Sequence, residues 1–150
     1  MPALAEHLYK ARNNASFAEK LDSNCDTSTG WALVALFYSA MHYVEGHCAE
    51  SGQHHEKHNE ITDHIRASVE LQPIRYEYRD LSTFGWNARY MPVKYGPTQL
   101  QEAKKCHLAV KAHIENLLPK QMPIAPSLSK LTVPPTASAP QEDPSVVSKN

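Results

Sequence analysis

A basic excess is missing from this sequence: 15 Lys and Arg stand against 16 Asp and Glu, a formal net charge of -1. A protein held to nucleic acid mainly by bulk electrostatics carries a clear surplus of Lys and Arg, so that mode is excluded and only local basic patches remain. Cysteine is scarce as well. Cys25, Cys48 and Cys106 are odd in number, far apart and without C-x-x-C spacing. That pattern argues against a disulfide framework or a thiolate zinc site and fits a reducing, cytoplasmic setting. No apolar run approaches the roughly 20 residues needed to span a bilayer; the longest, Trp31 to Val44, is cut short by His42 and Glu45. The opening Met1-Pro2-Ala3-Leu4-Ala5-Glu6-His7 has no basic stretch leading into an apolar one, so it is not read as a secretory leader. No segment alternates at period two with β-branched residues, and no sheet is expected.

What is present is helical periodicity. A chain of 150 residues has room for one domain, and most of its 41% hydrophobic residues precede Pro119. Leu4, Leu8, Ala11, Ala15, Ala18 and Leu21 recur at spacings of three and four, predicting an amphipathic helix over about Pro2–Leu21. The run Asp26-Thr27-Ser28-Thr29 offers cap oxygens for a second helix, about Thr29–Glu50, apolar around most of its circumference and closed by Gly52. A histidine-rich loop, 53–58, leads into a third helix carrying Ile61, Ile65 and Val69. Pro73 starts a fourth, with Ile74, Tyr78, Leu81, Gly85 and Ala88 on its stripe. The last, about Thr98–Leu118, aligns Leu100, Ala103, His107, Val110, Ile114 and Leu117. The expected architecture is therefore all-α: an up-and-down bundle of four to five helices over 1–118. Beyond it, residues 119–150 hold seven of the eleven prolines and five serines, with no aromatic residue or glycine. Such a segment cannot bury enough apolar surface to offset its ordering entropy, and a disordered tail is expected.

Three stretches carry a more specific signal. They are the central run Trp31-Ala32-Leu33-Val34-Ala35-Leu36-Phe37-Tyr38-Ser39-Ala40-Met41-His42-Tyr43-Val44-Glu45, the loop with Gly52, His54 and His58, and Ala88-Arg89-Tyr90 before the last helix. In order and spacing they resemble the HEPN domain family (higher eukaryotes and prokaryotes nucleotide-binding), over about Leu4–Leu118. The resemblance implies a helical, often homodimeric module that works with RNA, nucleotides or a nucleotidyltransferase-type partner, in toxin–antitoxin or defence systems. The ribonuclease branch of that family carries R-x4–6-H near the start of its last helix. Here no arginine stands at that distance before any histidine; the corresponding turn offers Lys94, Tyr95, Thr98 and Gln99. A second departure is Ile61, where the closest small members have arginine. The reading is thus a non-catalytic binding module needing no cofactor.

Individual residues leave alternatives open. Arg89 matches the bidentate chemistry of phosphate recognition, yet an arginine at a helix end also caps carbonyls. With Tyr90, Lys94 and Tyr95 it gives a locally basic, aromatic stretch suited to stacking on bases, or simply a solvated face. His42, His54 and His58 are the alternatives for chemistry. With Arg89 they would make a ribonuclease site of non-standard design; alone they would make a zinc-dependent hydrolase site. Against both stands a polar loop of solvated histidines with His42 bonded to a neighbouring helix, and no metal site is expected. His107, on an apolar stripe, reads as a satisfied core residue or as a partner of Arg89 or His42 at a pocket.

Overall fold

The helix starts are set by side chains that reach backward. In the computed structural model, which describes residues 2–21 and 23–118, Glu6, Glu60 and Gln99 each accept a hydrogen bond from the backbone N–H three residues earlier, on Ala3, Lys57 and Gly96. Each bond satisfies a donor that the helix ladder leaves over. These signals open α1 (Leu4–Glu19), α3 (His58–Ala67) and α5 (Pro97–Leu117). The remaining two are α2 (Asp26–Glu50) and α4 (Arg75–Tyr90), the latter entered through a short 3-10 turn at Gln72–Ile74. The expected tail, 119–150, lies outside the described residues.

The bundle is all-α, as expected, and α2 is its axis: α1, α4 and α5 pack directly against it, and α3 touches it more lightly. Its buried residues lie on every side, among them Leu33, Leu36, Phe37, Ala40, Tyr43 and Val44. Two glycines let neighbours come close. A Cβ on Gly85 of α4 would stand 2.9 Å from the Phe37 Cβ, and one on Gly46 of α2 would stand 3.1 Å from Leu4 and 3.3 Å from the His7 Cβ. Gly46 therefore allows α1 to lay His7 against α2.

Two expectations need correction. First, α2 begins at Asp26 rather than Thr29, with Cys25 at the cap position and no side-chain cap. The Thr29 hydroxyl instead donates to the Ser23 carbonyl, and Asp26 sits in the first turn, where the helix dipole favours a carboxylate. Second, Val69 is 81% exposed, because α3 ends at Ala67 and the chain turns out through Ser68; Leu71 takes the buried place. The α5 stripe Leu100, Ala103, His107, Val110 and Ile114 is buried inside the bundle, as expected. It packs on α2 and α4.

Candidate functional site

The last turn of α4 and the middle of α2 place Arg89 over Tyr38. The Arg89 Nε donates to the Gly85 carbonyl at 3.0 Å, and Nη1 donates to the Tyr38 hydroxyl at 2.8 Å. Two of its five donors are committed, so the guanidinium is fixed in direction while three remain for a ligand. The helix-end alternative is observed, since Arg89 bonds a carbonyl of its own helix; its remaining N–H groups have no partner among the described residues. Its guanidinium carbon also lies 5.4 Å from the Tyr38 ring centre and 5.1 Å from that of Tyr90.

His58, the first residue of α3, joins this group. Its ring lies 5.5 Å from Phe37 and 5.9 Å from Tyr38. Loss of hydration there, and then the Arg89 charge, push its pKa below the usual imidazole range. The imidazole is neutral at pH 7.

Beside Arg89 opens a cavity of about 360 Å³, walled by the first turns of α2 (Thr27, Gly30, Trp31), by Val34, and by Val93 and Tyr95 of the 91–96 connection. The first bond of the α2 ladder runs from the Thr29 N–H to the Cys25 carbonyl. The N–H groups of Asp26, Thr27 and Ser28 therefore stand outside the ladder at the positive end of a 25-residue helix. Such an end favours anions. Asp26 works against them, but Lys94 lies 3.6 Å from its carboxylate. Lys94 is thus engaged at the rim and strongly exposed. Among the exposed aromatics, Trp31, 54% exposed, lines the cavity, Tyr90, 59% exposed, lies against the Arg89 guanidinium, and Trp86 packs its ring 4.4 Å from Tyr90. Tyr95 does not belong with them. It is buried edge-on against Phe84 and cannot stack on a ligand base.

A second cavity, about 300 Å³, is lined by Arg66, Arg75 and Arg79. All three are exposed, and Arg66 and Arg79 turn to Asp63 and Asp80 at 3.1 and 2.8 Å. Arg75 donates to the Tyr76 hydroxyl, so each of the three guanidiniums is engaged by a neighbour.

The four residues grouped from the sequence divide into two sets on successive turns of α2. His58 and Arg89 meet at Tyr38. His42 and His54 gather instead around His7 of α1. The His7 and His42 Nδ1 atoms are 3.2 Å apart, and the His7 and His54 rings stack at 6.4 Å. Burial, with the neighbouring His7 second, pushes His42 down to a pKa of about 4. The carboxylate that completes this second set is Glu45, buried, with one oxygen 2.6 Å from the His55 Nδ1. Neither His7 nor Glu45 stands out as a site residue in the sequence. The available signals were a histidine between Leu4 and Leu8 on the α1 stripe, and an acid in a helix apolar on all sides.

His107 has the core role. Its Nε2 lies 2.8 Å from the Ser39 hydroxyl, and its ring faces Tyr43 rather than Arg89 or His42. Cys106 is half-buried with its thiol pKa pushed up, unsuited to nucleophilic work at neutral pH. Among the described residues, no helix is long and apolar enough to cross a membrane. Comparison with protein-family models, curated proteins and solved structures finds no match.

Proposed function

We propose that this chain is a non-catalytic, HEPN-like binding module that takes a phosphate-bearing ligand, RNA or nucleotide, in the groove between the start of α2 and the end of α4. One observation carries the reading: Arg89 is held by Gly85 and Tyr38 with donors to spare, at a cavity whose opposite wall is a helix N-terminus. Two independent sources of positive potential thus converge on a space large enough for a mononucleotide. The exposed ring of Trp31 at the cavity, and that of Tyr90 against Arg89, support the reading, because stacking tolerates every base. The resemblance supplies the remainder of the reading: a homodimer, a nucleotidyltransferase-type partner protein, and a cytoplasmic role in a toxin–antitoxin or defence system.

A second reading, a ribonuclease with a His58/Arg89 site, is favoured by the neutral His58 ring beside Tyr38 and Arg89. A neutral imidazole can take a proton from a ribose hydroxyl while the guanidinium stabilises charge on the phosphate.

Fluorescence anisotropy with a short single-stranded RNA at low salt separates these. Arg89→Ala is expected to weaken binding by about 10–100-fold, the loss of one or two charge-assisted hydrogen bonds. Arg89→Lys should recover only part of it, because an ammonium lacks the planar fork. Equal affinity in wild type and Arg89→Ala contradicts the site. The same RNA, followed for cleavage, should remain intact. Cleavage that both Arg89→Ala and His58→Ala abolish favours the ribonuclease reading, and cleavage unchanged in both marks a contaminant.

A further inference from the structure

Glu45 is 5% exposed and His7 is 7% exposed, so both are polar groups carried into the core. A buried carboxylate requires compensation by hydrogen bonds and opposite charge. Among the described residues the only ion-pair partner of Glu45 is a histidine, His55, which takes one oxygen at 2.6 Å. The other oxygen receives only a long contact, 3.4 Å, from the His55 backbone N–H. Lone pairs on Glu45 are therefore left over.

His7 shows the same incompleteness. Its Nδ1 is occupied by the Nδ1 of His42 at 3.2 Å, while its Nε2 is buried without a partner. In a neutral pair one ring donates and the other accepts. When His7 donates from Nδ1, its Nε2 is an unprotonated lone pair facing no donor. That is the state in which a histidine ligates a metal: one nitrogen on the ion, the other fixed by a neighbour.

His54 supplies the third donor. The Schellman turn at the end of α2, with Gly52 at φ 73° and Gln53 N–H bonded to the Cys48 carbonyl, folds residues 54 and 55 back beside Glu45. One ligand atom each from His7, Glu45 and His54 all lie within 4.8 Å of one another. Donors around a tetrahedral zinc sit about 3.3 Å apart, given bond lengths near 2.0–2.1 Å, so small side-chain rotations close the set.

We propose that His7, Glu45 and His54 bind a divalent transition-metal ion of the zinc class, clamping α1, α2 and the 51–57 loop to one another. Two imidazoles and a carboxylate form a donor set suited to zinc rather than to calcium or magnesium. Burial keeps the His7 and His42 rings neutral at pH 7, ready to ligate and to fix a tautomer. This set differs from His42, His54 and His58: His58 belongs to the Arg89 group, and His42 stands behind His7. An overlapping set, Glu45, Cys48 and His55, is already closed by the Glu45–His55 contact, and burial holds its thiol up at a pKa of about 12.

The full chain, stripped with a chelator and titrated with Zn²⁺ alone by calorimetry, is expected to take up one ion per chain. Zinc at about a hundredfold excess over Kd should raise the melting temperature by about 5–10 °C. His7→Asn, His54→Asn and Glu45→Gln should each weaken binding by at least about tenfold and abolish the rise. Cys48→Ser and the remote His113→Asn should leave both unchanged. Circular dichroism establishes that each variant is folded. Co²⁺ in place of zinc reports ligation by its visible absorption, which the three ligand variants should lose. No saturable uptake by the wild type, uptake indifferent to His54→Asn and Glu45→Gln in folded protein, or loss through Cys48→Ser instead, would overturn the assignment.

Discussion

Acidification from neutral pH to about 4 is expected to remove about 3 kcal/mol of stability through His107 alone. The chain of cause begins at Ser39. Its hydroxyl has one proton, which it donates to the Ala11 carbonyl at 2.7 Å. Toward His107 it therefore accepts, and the His107 Nε2 carries a hydrogen. A second proton, on Nδ1, would place a charge inside the bundle. Burial, then the Lys111 charge, lowers the folded pKa to about 4 from the ordinary 6.5.

The folded value lies below the unfolded one, so between them the unfolded chain binds more protons. Stability is fully present above about 6.5 and is lost as pH falls toward about 4. His42, also near 4, acts in the same direction but is only partly buried, so solvent screens its contribution. His7, His58 and His64 are lowered as well. Urea unfolding across this window measures the slope. His107→Gln, which keeps a donor for Ser39 but does not titrate, should flatten it while lowering stability at neutral pH by about 1 kcal/mol. An identical slope in both proteins would remove His107 as the cause.

Phe37→Ala is expected to cost about 3–5 kcal/mol. Phe37 is 2% exposed and packs edge-on to Tyr78 at 6.0 Å. It occupies the seam where α4 comes closest, against Gly85. The helices on either side are tied by further contacts along their length, so the void closes only in part. The same ring is a floor for His58, 5.5 Å away. The variant should therefore also weaken RNA binding, through lost order at the start of α3. Phe37→Leu, nearer in volume, should cost about 1 kcal/mol. Urea midpoints measure both; a loss below about 1 kcal/mol for Phe37→Ala would mean that the seam repacks freely.

The helices were legible because each buries one face and its spacing records that. Leu4, Leu8 and Ala11 read as a stripe, and so did Leu100, Ala103, Val110 and Ile114. Spacing misleads where another force decides. Val69 continues the α3 spacing, yet α3 gives way at Ser68 and the chain exposes it.

At the site, Arg89 was legible from its aromatic, basic neighbourhood, but its bond to Tyr38 spans 51 residues and left no local trace. Sequence proximity groups His58 with His42 and His54, whereas the α2–α3 turn carries it toward Tyr38. His7 carries no signal in the sequence, because one histidine in an apolar stripe is ordinary. Its significance comes from Gly46, which admits α1 close to α2, and from Glu45 one residue earlier.

The most direct test of the binding reading is a ¹⁵N-edited NMR titration of the full chain with a short single-stranded RNA. The Arg89 Nε–Hε signal, the indole signals of Trp31 and Trp86, and the first backbone amides of α2 are expected to shift together and saturate, and Arg89→Ala should abolish the response. Shifts confined to Arg66, Arg75 and Arg79, or no shifts at millimolar RNA, would contradict a ligand site between α2 and α4.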